Sequence, residues 1–194
     1  MNIKNVKTAF KVADVILDKE HATRRIKFIF LEEIFDENGE KLDKFVLKDE
    51  SGRIYMIVSD GMIKKIGKSD CKGGIKTTMS FYQGGMQGGP SIRTFGIHFL
   101  IKEELEKGKK VEIYMISSKK IKMKVKGLFN EGVIEASSVS GGMEEKCRED
   151  FKNFEKELPP WNFQERGEVW RQDILKAHSK HNTKRKSLRR KISK

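Results

Sequence analysis

The 194-residue chain has only two cysteines, Cys71 and Cys147, three prolines and two tryptophans. Two cysteines build neither a disulfide framework nor a four-ligand zinc site, so both are expected to be reduced and structural. No apolar run approaches the roughly 18 to 20 residues needed to span a bilayer, which argues against a membrane-spanning helix. Met1 to Lys7 contains no signal-peptide apolar core, so a cytoplasmic location without a membrane partner is expected.

Charge is what the chain has in quantity. Charged residues make up 36%, apolar residues 37%, and the net charge is +13. The length suits one domain with appendages and allows a buried core. Lys180 to Lys194 holds eight basic residues and no acid, which leaves +5 for everything before it. Such a segment is either a partly disordered solubility tail or an arm that contacts phosphates, with Lys184, Arg185, Lys186, Arg189 and Arg190 as candidate contacts.

Hydrophobic patterning divides the rest. Residues 1–50 read as an N-terminal extension that adds strands to a central sheet, with a separate small domain as the alternative. Within it, 4–17 suits a helix or strand, 25–35 is rich in Ile, Phe and Leu, and Asp36 to Gly39 is a turn signal before Lys44 to Leu47. Arg53 to Val58, a turn at Ser59-Asp60-Gly61, and Met62 to Ile66 read as a β-hairpin. Glycines cluster at Gly73-Gly74 and across Gln83 to Gly89, a composition that suits close approach to phosphate or a plain connector. Ser91 is a candidate N-cap for a helix from Ile92 to about Lys107, closed by Gly108, and Val111 to Ile116 reads as a strand. Ile121 to Gly127 alternates apolar residues with lysine and is expected to pair with residues 132–139. Met143 to Leu158 reads as a helix with one apolar stripe, Met143, Cys147, Phe151, Phe154 and Leu158, ended by Pro159-Pro160.

Gly52-Arg53-Ile54-Tyr55 followed by Ile66-Gly67-Lys68 resembles the signature of the GIY-YIG nucleases. Gly96-Ile97-His98, Glu104 to Tyr114 and Pro159-Pro160-Trp161-Asn162-Phe163-Gln164 follow in the order found in compact phage and type II restriction members of that family. The resemblance covers roughly residues 51–164, with an insertion at about 117–142, and leaves 165–194 as a basic C-terminal segment. Two departures stand out: Lys65 occupies the place of the second motif's tyrosine, and residues 69–82 lack the family's arginine.

The resemblance implies an α+β fold, a small central mixed or antiparallel sheet flanked by helices, with extensions at both ends. It implies a site-specific double-stranded DNA endonuclease of the type II restriction kind, with a homodimer as the candidate assembly. A phage-type DNA-degrading or repair endonuclease, or a noncatalytic nucleic-acid-binding protein of the same fold, is the alternative. One Mg²⁺ (or Mn²⁺) would be held by Glu149, ten residues before Pro159, with Glu144, Glu145 and Glu157 as competitors. Tyr55 would activate water, with Lys68 offsetting phosphate charge. Lys72, Lys76 or Arg93 would replace the missing arginine, and His98 matches a family histidine. Lys65, Lys72 and Asn162 are candidate DNA contacts, while Trp161 and Trp170 are expected to pack.

Overall fold

The computed structural model describes residues 1–18, 20, 26–48, 52–117, 121–136 and 140–192, without the side chains at 121, 123, 134–136 and 186–192. Arg25, Ser51 and Val139, which bounded expected elements, and the side chains of Lys186, Arg189 and Arg190 lie outside that description.

The hairpin is the centre of the fold. β5 (Arg53–Ser59) and β6 (Met62–Ser69) are joined by Asp60 and Gly61, both at positive φ, 45° and 75°. That is the two-residue turn whose twist matches antiparallel strands, and it explains the Asp-Gly pair. β7 (Val111–Ser117) flanks β5 on its other side. β1 (Phe10–Leu17) and β2 (Ile26–Phe30) from the N-terminal extension complete one antiparallel sheet in the order β2-β1-β7-β5-β6. The protein is thus α+β, a five-stranded sheet flanked by helices.

Every residue of β5 is buried, because both faces of this strand are covered. On one face Tyr55, Ile57, Ile113 and Met115 pack with α1 (Gly74–Gln83), α2 (Ile92–Glu106) and α5 (Gln172–Ile192). On the other, Ile54, Met56, Val58, Ile63 and Ile66 meet Ile3 and Phe151 of α3 (Ser140–Glu155). Ser91 caps α2 by accepting from the Thr94 amide, and Gly108, at φ 76°, lies just past its end.

Three expectations need correction. Lys44–Leu47 is a short 3-10 helix rather than a strand, since the Asp43 carboxylate accepts from the Phe45 amide and starts a turn. α3 stops at Glu155, because Lys156 adopts a left-handed φ of 68°, which leaves Leu158 outside the helix, and Phe154, still within it, is 60% exposed instead of continuing the apolar stripe. The basic C-terminal segment is helical over Gln172–Ile192, anchored by Ile174, Leu175 and Ala177 against the core and extended by good helix formers. β8 (Ile121–Lys126) and β9 (Glu131–Ala136) form a separate hairpin. No helix of the described residues is long and apolar enough to cross a membrane.

Trp170 lies across α2 at Gly96 and against Phe163, with ring centroids 4.5 Å apart. A Cβ on Gly96 would sit 2.3 Å from the Trp170 ring, and a rigid indole buried on both sides cannot step aside. Gly96→Ala is therefore expected to lower the denaturant midpoint, by about 1 to 3 kcal/mol in stability, with the slope unchanged.

Candidate active site

β6 is an edge strand, and its open backbone groups are closed by the segment after α3. The Asn162 side chain accepts from the Ile66 amide (3.0 Å) and donates to the Ile66 carbonyl (2.9 Å), while the Trp161 amide donates to the Lys64 carbonyl (2.8 Å). Asn162 behaves as one residue of a missing sixth strand. It is fully buried, with both ends of its amide engaged, so it stands behind the site and offers no phosphate contact.

Tyr55 faces Gly67 across the hairpin. A Cβ on Gly67 would lie 2.5 Å from the Tyr55 hydroxyl, so the phenol can cross the edge strand only because residue 67 has no side chain. Beyond it the hydroxyl meets that of Tyr82, on the last turn of α1, at 2.6 Å. Arg93, on the first turn of α2, hydrogen-bonds Tyr82 in turn. His98 Nδ1 lies 2.8 Å from the Tyr82 carbonyl, and because a carbonyl only accepts, this nitrogen carries the proton. His98 is fully buried and fixes α1 to α2.

A cavity of about 290 Å³ opens beside this pair, lined by Lys68, Asp70, Cys71, Thr78, Phe81, Arg93, Glu144 and Glu165. Lys68 pairs with Asp70 at 2.9 Å, and that hydrogen bond raises the lysine's pKa. Arg148 lies 3.9 Å from Glu144 and 3.5 Å from Glu165, holding the two carboxylates at one wall. Lys65 shares the sheet face of Tyr55, is 2% exposed, and has the charges of Arg93, Glu165, Glu144 and Arg148 around it.

Protonation follows from this burial. The Tyr55 phenol is pushed well above its ordinary value by burial and then by Tyr82, with Arg93 opposing weakly. Tyr82 is raised as well, again by burial, against the pull of Tyr55 and Arg93. Burial drives the Lys65 ammonium down to about 8, helped by Arg93. Lys65 therefore titrates closer to neutrality than either phenol.

The candidates from sequence are distributed as follows. Lys68 and Arg93 line the cavity, whereas Tyr55 is buried and connects to it through Tyr82 and Arg93; Lys68, paired with Ile54 in register, projects from the opposite sheet face to Tyr55. Lys65 is interior, which removes it as a surface DNA contact. The Lys76 ammonium lies over the Phe30 ring, 5.3 Å from its centre, and does not line the cavity. Lys72 is exposed just before α1. Glu149 is exposed and lines a different cavity of about 370 Å³ with Glu145, Arg148, Lys152, Leu158 and Glu165. Five residues along a helix turn a side chain by about 140°, so Glu144 and Glu149 cannot both face the tyrosines. Arg185 packs over Gly89, and Lys184 is exposed on the same helix. Tyr82 was not anticipated; the ten-residue helix it closes follows two glycines, and nothing in its spacing relates it to Tyr55.

No protein-family model and no curated protein sequence matches the chain. Among solved structures it is similar to a mutant of EndoII from bacteriophage T4, at 18% identity over 84% of this chain and 98% of that one, with a TM-score of 0.50. It is also similar to restriction endonuclease HPY188I in complex with product DNA, at 17% identity over 82% and 84% of the two chains, with a TM-score of 0.45. At this identity the likeness to EndoII shows a shared fold, and the second adds nothing to it.

Lys65 gives the site a pH signature. The folded state binds its proton with a pKa of about 8 instead of 10.5. Below pH 8 both states are charged and folding carries the full desolvation cost. Between about 8 and 10.5 the unfolded chain holds more protons, so stability from this group rises with pH and levels off above. Lys65→Met is expected to stabilise at pH 7 by up to about 3 kcal/mol, and the gain should vanish towards pH 10.5 in urea unfolding at a series of pH values.

Proposed function

We propose that the protein is a GIY-YIG-type DNA endonuclease that hydrolyses phosphodiester bonds at the Tyr55 cavity. The observation that carries this reading is the buried Tyr55–Tyr82 hydroxyl pair, linked through Arg93 to a cavity that Arg93 lines together with Lys68 and Glu144. It sets two hydroxyl groups behind an opening lined by cations and a carboxylate, which are the components phosphodiester hydrolysis uses. A fold shared with EndoII, a phage endonuclease, supports the same reading.

Glu144 replaces Glu149 as the proposed metal ligand. Glu144 is 8% exposed and borders the cavity, with Glu165 held beside it by Arg148. These are hard oxygen donors, which suit Mg²⁺ or Mn²⁺. Among the described residues no three His, Cys, Asp or Glu groups converge on one point, so the protein would supply few ligands and leave others to water and phosphate, as Mg²⁺ prefers. When bound, the ion would stabilise charge on the phosphate and leaving oxygens.

The chain's own groups divide the remaining work. Tyr55 orients the attacking water by hydrogen bonding, since its raised pKa keeps it a neutral phenol. Lys65, partly neutral near pH 8, accepts the proton that the attacking water loses. Arg93, fixed by Tyr82, and Lys68 offset the charge that grows on phosphate, and Arg93 supplies the guanidinium that residues 69–82 lack. The finer proposal is site-specific cleavage of the type II restriction kind by a homodimer, one subunit per strand. Discrete fragments from plasmid DNA would support it, whereas a smear would favour a DNA-degrading enzyme.

Plasmid cleavage with Mg²⁺ tests the assignment. Tyr55→Phe and Glu144→Gln are each expected to lower the single-turnover rate by a factor of about 10² or more, and Glu149→Gln to leave it within about twofold. Loss of activity in Glu149→Gln with retention in Glu144→Gln would reverse the carboxylate assignment, and an inert wild-type protein would end the enzyme reading.

A further inference from the structure

The β8–β9 hairpin stands apart from the rest of the molecule: among the described residues its strands pack extensively only on each other. Its feet are at the candidate site. β8 follows Ser117, which pairs with Arg53 two residues before Tyr55, and β9 leads to Ser140, whose hydroxyl hydrogen-bonds the Asp70 carboxylate of the cavity. Six residues of extended chain carry the tip about 20 Å from those feet, a length of about six base pairs along a duplex.

The tip is Gly127-Leu128-Phe129-Asn130, closed by a hydrogen bond from the Gly127 amide to the Asn130 carbonyl at 2.9 Å. A Cβ on Gly127 would meet that carbonyl at 2.9 Å, so the tight closure depends on glycine. Leu128 is 95% exposed and Phe129 93%, the highest values of any large apolar residue described. Lys122, Lys124 and Lys126 alternate along β8 and are all exposed. Residues 119–126 contain five lysines and no acid, against Glu131 and Glu135 on the return strand. Two bare apolar side chains at the end of a lysine-lined ribbon match a wedge that enters between base steps while cations hold the flanking phosphates.

We infer that this hairpin is a DNA-bending arm, with Leu128 and Phe129 inserting between stacked bases of the same duplex that the Tyr55 cavity engages. The inference rests on the nuclease reading. The lysines supply salt-dependent attraction to the backbone, and the tip converts that contact into a fixed kink near the reacting phosphate. A second copy of the chain would be repelled by the same lysines, which favours the polyanion as occupant.

The test uses the full chain with a short duplex and Ca²⁺ in place of Mg²⁺. In Phe129→Trp the new indole is expected to lose emission on addition of duplex, measured against the wild-type protein, whose Trp161 and Trp170 are buried. Leu128→Ser with Phe129→Ser is expected to weaken binding about tenfold and to abolish end-to-end bending by energy transfer, with the salt dependence kept. Replacing Lys122, Lys124 and Lys126 by alanine should instead flatten the salt dependence. Because Leu128, Phe129 and the three lysines are all exposed, neither change should alter the thermal midpoint. Wild-type protein that binds and cleaves duplex, while the Phe129→Trp emission stays constant and the double-serine variant bends DNA normally, would overturn the arm and leave the nuclease standing. A change of emission on self-association or with anionic vesicles, and none with duplex, would also overturn it. Wild-type protein that binds no duplex would remove both readings.

Discussion

The contact of the Tyr55 and Tyr82 hydroxyls across Gly67 organises this structure. It ties the central hairpin to the end of α1 and requires an open position in the edge strand. Through Tyr82 it brings in two residues of α2, Arg93 by its side chain and His98 through the Tyr82 carbonyl. A side chain at residue 67 would push the phenol back into the core and separate these three elements. The glycine of Ile66-Gly67-Lys68 is therefore a clearance for Tyr55, more than a flexible joint.

An edge strand carrying such a site has to be protected from pairing with other chains. Asn162 meets this need by presenting a side-chain amide where a neighbouring strand would present its backbone, so that β6 is satisfied at Ile66 while its end stays open for the cavity. The same segment brings Glu165 round to Arg148 and Glu144. The Pro159-Pro160-Trp161-Asn162 run thus closes the sheet edge and builds one wall of the cavity in a single turn of chain. Pro159 and Pro160 suit this place because a chain that must leave helix geometry abruptly gains from residues that cannot continue it.

Local chemistry made part of this legible in the sequence. Asp60-Gly61 announces a two-residue turn, and Ser91 with Gly108 brackets a helix whose ends the structure matches closely. What is not legible there depends on helix phase and on contacts between distant segments. Glu149 follows from its spacing of ten residues before Pro159 in the resembling family, whereas the α3 carboxylate that lines the cavity with Lys68 and Arg93 is Glu144, and Glu149 lines a different one. Tyr82 could not be found by spacing, because its relation to Tyr55 exists only once α1 has folded back over the hairpin. Lys65 was read as a surface cation since alternation alone does not say which edge is covered, and the covering segment lies nearly a hundred residues later.

That covered lysine also bears on how the proposed site could manage protons. Burial makes both phenols harder to ionise, and so less useful as bases near neutrality, whereas the same burial makes an ammonium easier to deprotonate. Two arginines and two glutamates surround Lys65 and partly cancel, leaving desolvation as the leading influence on its pKa of about 8. In the proposed chemistry a lysine at this position inverts the usual division of labour: the tyrosines hold and orient through their hydrogen bonds, and the amine gains and loses the proton. Under that proposal Lys65 is intelligible together with Tyr82, because a second phenol is supplied from α1 and the strand position is free to carry a base.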